Sequence, residues 1–192
     1  HSHSFSAVLE SYDRDPPPSW RFGRPNTPAV YDTIPATLGH GVDVLRSGED
    51  ISIFACGHMV WRALEAAETL ARDWDIDAEV VNVAIVKPIH SEAVLSSLAK
   101  TGVGVVAEEH RITGGLGDAV RHVAAEQHPV PVFSLGMKDE FGISGSAEAC
   151  MEHFGLTSRG IVDRARDAYG LKPMVTHRPI LASSDARSPE PS

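Results

Sequence analysis

Cysteine is nearly missing from this chain: Cys56 and Cys150 are the two in 192 residues. They stand far apart, each in an apolar setting, and make no CxxC pair. That excludes a disulfide framework and a local thiolate metal motif. Two buried free thiols in a reducing, cytoplasmic compartment are the expectation. No apolar run approaches the ~20 residues of a membrane-spanning helix, and no charged start followed by an apolar stretch marks a signal peptide. Basic residues are also outnumbered, 17 Lys and Arg against 26 Asp and Glu, for a net charge of −9. A nonspecific nucleic-acid binder needs clustered positive charge to replace phosphate counterions, so the balance argues against nucleic acid as a partner. Ten histidines are present, yet beyond His1 and His3 none stands at metal-ligand spacing. No GxSxG elbow and no Cys/His signature appears.

What is present falls into three zones. Residues 1–37 are rich in Pro, Ser and Arg, with Pro16-Pro17-Pro18 at their middle. Residues 38–171 alternate short apolar runs with amphipathic ones. Residues 172–192 return to Pro, Ser and Arg and read as a disordered or extended tail. In the middle zone Ile51–Cys56 is a β-type run ending at Gly57. Val60, Leu64, Ala67 and Ala71 follow at the spacing of one helix face. The stretch from Asp77 to Val86 is again β-rich and stops at Lys87-Pro88. Ser91 suits an N-cap ahead of Val94, Leu95 and Leu98. Gly102–Ala107 and Pro131–Leu135 are further strands, and Ser146–Phe154 and Ser158–Tyr169 are the closing helices. Val42–Leu45 can add one antiparallel strand. Strands and helices at this spacing predict a mainly parallel sheet covered on both faces.

Glycines gather where strands hand over to helices: at Gly57-His58, along His110–Gly117 and from Gly136 to Gly145. Ligands of open parallel sheets bind at such carboxyl ends, and helix starts hold anions, so one reading is a phosphate or nucleotide site. The other is that these glycines permit tight turns and close packing. GGLG is not GxGxxG, and no acidic residue follows where a ribose would need one. Glu108-Glu109-His110 ends a strand. A carboxylate beside an imidazole can do acid–base work, but neighbours on a strand face opposite ways. Helix capping or an interface ion pair suits them better. Arg21 and Arg24 frame a short Arg-Phe-Gly-Arg-Pro stretch, which is either a fork for phosphate or carboxylate or a solvated linker charge.

Read in order, these stretches resemble the C-terminal domain of the transketolase family. Ile53–Val60 with Ala63–Ala67 resembles its opening strand, glycine and helix. Val80–Val83 with Lys87-Pro88-Ile89 resembles its second strand and turn. Val105–His110 with Gly114–Gly117 resembles its EEH…GGLG stretch. Asp139, Phe141-Gly142, Ser144-Gly145 and Phe154–Thr157 match the closing motif. Upstream, Ala7–Tyr12 and Ser19–Pro25 resemble the last helix and strand of the family's pyrimidine-binding domain.

The resemblance implies a three-layer α/β/α sandwich whose mixed, five-stranded, mostly parallel sheet has one antiparallel strand. Residues 1–37 would be a remnant of the preceding domain and linker. The implied reaction is thiamine-diphosphate-dependent transfer of two-carbon ketol units between sugar phosphates, with this domain as scaffold and dimer contact. Arg24 stands at the place of the family's phosphate-binding arginine, with Arg21 as second choice. Glu109, His110, Gly114 and Gly115 are loop or interface candidates. The GDG…Asn motif that holds Mg²⁺ and the diphosphate is absent, so this chain alone is expected to bind neither and to be non-catalytic. Its expected partners are the remaining transketolase domains or an N-terminal subunit, and a further copy of itself. Other branches with the same domain are the 2-oxoacid dehydrogenase E1 β subunit and deoxyxylulose-phosphate synthase. A stand-alone small-molecule or nucleotide-binding module is the rival from another class.

Overall fold

The computed structural model describes residues 26–31 and 41–175, with Ser19, Arg21 and Gly23. Five strands form one sheet: β1 (Val42–Arg46), β2 (Ile51–Ala55), β3 (Ala78–Val83), β4 (Gly104–Arg111) and β5 (Val132–Met137). Their order is β1-β3-β2-β4-β5. β1 runs antiparallel to β3, and the other neighbours are parallel. The mixed sheet with one antiparallel strand is therefore as expected. β2 and β3 are buried along their whole length, which is why they carry near-continuous runs of Val, Ile, Phe and Ala rather than alternation.

Among the described residues five helices cover the sheet: α1 (Met59–Trp74), α2 (Ser91–Thr101), α3 (Leu116–Gln127), α4 (Ala147–His153) and α5 (Ser158–Val175). On one face Met59, Ala63, Ala66 and Leu70 of α1 and Ile161, Ala165 and Ala168 of α5 pack on Ile51, Ile53, Val80 and Val105. On the other, Val94 and Leu98 of α2 and Leu116, Val120 and Val123 of α3 pack on Phe54, Val81 and Val106. Three layers follow from this because each strand has two apolar faces to cover.

Several boundaries differ from the sequence expectation. The buried face of α1 is Met59, Val60, Ala63, Ala66, Ala67 and Leu70. Ala71 is exposed and Leu64 half-buried, because the buried stripe is centred on Ala63 and Leu70, and Leu64 and Ala71, each one residue on and so about 100° round the helix, fall past its edge. The N-cap of α2 is His90, whose Nδ1 accepts from Ala93 N at 3.2 Å, and Ser91 is the first helical residue. α5 runs on to Val175, past Lys172 where the tail was expected to begin. Neither cysteine is fully buried; both are intermediate and free. The other residues of the 1–37 and 172–192 zones, Arg24 among them, lie outside the described residues.

The turn between β4 and α3 is built around one carboxylate. Glu108 is 1% exposed, and its two oxygens accept from the backbone N–H of Leu116 (2.7 Å) and Gly117 (2.9 Å). These are donors that a helix start leaves unpaired, and the negative charge sits at the positive end of the helix dipole. Gly114 adopts φ +80°, where a side chain is strained. Gly115 does not, but a β-carbon there would stand 2.0 Å from Glu108 Oε2. The two adjacent glycines are thus needed for different reasons, one for backbone angle and one for space. Glu108→Ala leaves two buried N–H groups without an acceptor, an expected loss of about 2–4 kcal/mol. Gly115→Val, which forces the carboxylate away, is expected to lose about as much, and Gly114→Ala about 1 kcal/mol from strain alone. Urea denaturation of the three variants checks the order; equal stabilities would show that the turn carries no such constraint.

Candidate functional site: the crevice at the ends of β2 and β4

From β2 the chain crosses to β3 on one side of the sheet, and from β4 it goes to β5 on the other. The carboxyl ends of β2 and β4 therefore flank the topological switch point, where open α/β sheets form a crevice. β2 ends on Ala55 and leads into Cys56, Gly57 and His58; β4 ends on Glu108, Glu109, His110 and Arg111. The register pairs Ala55 with Ala107, which sets the two ends level.

The pleat sends Glu108 inward and Glu109 outward, as strand alternation demands. The imidazole that Glu109 meets is not its neighbour His110 but His58, across the crevice. His58 Nδ1 and Glu109 Oε2 are 2.9 Å apart. The carboxylate can only accept, so Nδ1 carries the proton and Nε2 faces the other way. His110 Nδ1 instead donates to the Arg111 carbonyl at 2.8 Å. Sequence reasoning named Glu109 and His110 but missed the His58 partner, because the pair joins residues 51 positions apart. The signal that could have found it is topological: β2 and β4 are neighbours in the sheet although β3 lies between them in sequence.

Beside the pair, Asp118 ties the glycine turn to α3. Its Oδ2 accepts from Gly114 N at 2.5 Å, and its Oδ1 from Arg121 Nη2 at 2.6 Å. These bonds, the backbone one first, hold its carboxyl below the usual range. Arg121 continues to the Ile112 carbonyl at 3.2 Å and to Ser134 Oγ at 2.5 Å, fastening the turn to β5. On the rim Arg111 pairs with Asp139 at 2.7 Å. A cavity of about 260 Å³ opens there between Arg111, Ile112, Thr113, Met137 and Asp139, below the usual size of a cofactor pocket.

Two chemistries are disfavoured by this geometry. A phosphate would need the N–H donors at the start of α3, and Glu108 already holds those of Leu116 and Gly117. Among the described residues no group of three or more His, Cys, Asp and Glu could hold a metal, and no helix is long and apolar enough to cross a membrane. Cys56 is no ready nucleophile. Burial first, then the charges of Glu108 and Glu109, push its thiol up to about 12, with Arg21 opposing. A thiol so raised stays protonated at neutral pH. Its linkage sign is that of a group held neutral: the folded state keeps the proton after the unfolded chain has lost it, so stability falls as pH rises above about 9. Cys56 is expected to resist iodoacetamide at pH 8 in the native protein and to react promptly in urea. Prompt native labelling at Cys56, located by peptide mapping, would contradict this.

Comparisons with known proteins agree with the architecture. The family described as "Transketolase, C-terminal domain" matches residues 40–161. A 6-deoxy-6-sulfo-D-fructose transketolase subunit from Clostridium sp. is 47% identical over 131 residues, which is 68% of this chain and 40% of that protein. An apulose-4-phosphate transketolase subunit from Phocaeicola vulgatus is 35% identical, over 76% of this chain and 46% of that protein. A 1-deoxy-D-xylulose-5-phosphate synthase from Caldanaerobacter subterraneus is 36% identical, over 69% of this chain and 21% of that protein. The chain thus matches less than half the length of each of these relatives. Among solved structures, a split gene transketolase described as an inactive β4 tetramer aligns with a TM-score of 0.74 and 41% identity, over 78% of this chain and 49% of that one. A strand order with its switch point between β2 and β4, an EEH…GGLG turn folded around its own glutamate, and a family match over residues 40–161 lead to one assignment: this chain belongs to the transketolase C-terminal domain family.

Proposed function

We propose that this chain is the C-terminal part of a split, thiamine-diphosphate-dependent transketolase that moves two-carbon ketol units between sugar phosphates. In this reading it is not catalytic alone. The observation that carries it is that the family's GGLG turn is spent internally: the α3 N–H donors hold Glu108 rather than a ligand. A domain so arranged scaffolds a neighbouring centre. Relatives described as transketolase subunits support a two-polypeptide enzyme, and the β4 tetramer of the split gene transketolase supports association of this chain with further copies of itself. The partner is an N-terminal subunit carrying the metal and diphosphate site, and the compartment is the cytoplasm.

Thiamine diphosphate and Mg²⁺ do not fit the described residues of this chain, which offer no metal-binding cluster. When bound by the other half, the cofactor supplies the carbanion chemistry. The contribution of this chain to the substrate is Arg24, with Arg21 as second choice, as a guanidinium fork for the sugar phosphate. A second reading, deoxyxylulose-phosphate synthase, is favoured by the synthase relative. The two are separated by donor: a ketose for the transferase, pyruvate for the synthase.

Titration calorimetry of the chain alone with thiamine diphosphate and Mg²⁺ is expected to give no heat of binding, and micromolar affinity would sink the subunit reading. In the assembled enzyme, Arg24→Ala is expected to raise KM for phosphorylated substrates roughly ten- to a hundredfold, at about 1.4 kcal/mol per decade. Kinetics with a non-phosphorylated ketose provides the control. Equal losses on both substrates would make Arg24 a linker charge.

A further inference from the structure

The switch-point crevice carries part of this chain. A β-carbon added at Gly23 would stand 1.8 Å from His58 Nε2 and 2.3 Å from Cε1. The Gly23 backbone therefore lies directly on the imidazole edge that the Glu109 bond turns outward. No positive φ is involved, so a methyl added there strains no backbone angle but has to push the His58 ring or the segment aside. Arg21, two residues earlier, is close enough for its charge to act on the Cys56 thiol against Glu108 and Glu109. A second anchor lies further along. The Tyr31 hydroxyl donates to Asp43 Oδ2 at 2.7 Å and accepts from Asn82 Nδ2 at 2.8 Å, across the β1–β3 register. Val30 packs against the core cluster on the α1 and α5 face of the sheet.

We propose that the His58–Glu109 pair is a positioning device that seats the segment bearing Arg21 and Gly23 on the switch-point crevice, while Tyr31 fixes the segment's other end. The crevice that other α/β sheets leave to a ligand is here closed by the chain's own approach to the domain. Arg24 is the next residue after Gly23. On the reading of Arg24 as the phosphate fork, which this clause of the inference rests on, His58 and Glu109 act on substrate binding through the seating of Gly23 and do not touch the substrate.

Trypsin reads the seating directly. Release of Arg21 and Gly23 from the crevice is expected to speed tryptic cleavage after Arg21, whereas Arg24–Pro25 resists trypsin. Cleavage at Arg21 in the full chain, followed by mass spectrometry, is expected to quicken about tenfold in His58→Ala, Gly23→Ala and Glu109→Ala, because cutting follows the open population. Glu109→Gln keeps an acceptor for His58 and is expected to stay protected. In the double variant Gly23→Ala with His58→Ala the added methyl has no ring to meet, so cleavage is expected to match His58→Ala alone. Wild-type cleavage rates in all single variants, or fully multiplying effects in the double, would overturn the proposal. Glu109 is half exposed, so its two variants keep the test open even if a His58 variant folds poorly. In the assembled enzyme Glu109→Ala is expected to raise KM for a phosphorylated ketose with kcat within about twofold of wild type. If Arg24→Ala shows no phosphate-specific loss while the cleavage pattern holds, the transketolase reading of Arg24 falls and the seating stands.

Discussion

The constraint from which the rest of this site follows is the carboxylate of Glu108 inside the first turn of α3. A buried carboxylate is costly unless its oxygens are satisfied. Here the two N–H groups of Leu116 and Gly117 satisfy it, and it satisfies them in return. For the bonds to form, the chain must turn sharply within a few residues of leaving β4. It must also pass so close to the carboxylate that no β-carbon fits at Gly115. The inward turn of Glu108 in turn dictates that Glu109 points out, to where it meets His58. One buried charge thus determines the shape of the glycine turn and the orientation of the pair beside it.

The functional consequence is a domain whose ligand-binding equipment is turned inward. Helix starts and switch points bind anions and cofactors because they present unpaired donors and a concave surface. In this chain the donors hold an internal glutamate, and the concavity holds the backbone of Gly23. Around it Asp118, Arg121 and Ser134 form a bonded network that fastens the turn to β5. The charges of Glu108 and Glu109 and that of Arg21 act in opposite directions on the Cys56 thiol beside it. On the proposed reading this surface serves as a scaffold beside a neighbouring centre rather than as a pocket for a small molecule.

Much of this architecture was legible in the residues. Apolar runs at Ile51–Cys56 and from Asp77 to Val86 have no polar alternation, so they belong to strands buried on both faces. The Ser158–Tyr169 face shows in its spacing, although the helix outruns it to Val175. Glu108 and Glu109 had to diverge because a strand alternates. The His58–Glu109 pair was not legible, since nothing local to His58 distinguishes it from a turn residue. The role of Gly115 was equally hidden: glycine for angle and glycine for space look alike in sequence, and Gly114 and Gly115 are one of each.

The sequence by itself determined the fold class and the family, because hydrophobic periodicity and turn chemistry are local and survive being read in a line. Only the tertiary structure decided which imidazole meets Glu109, what fills the start of α3, and that Gly23 lies on His58. These depend on β2 and β4 becoming neighbours across an intervening strand, and sheet order arises from the packing of all the layers at once rather than from any one stretch of chain.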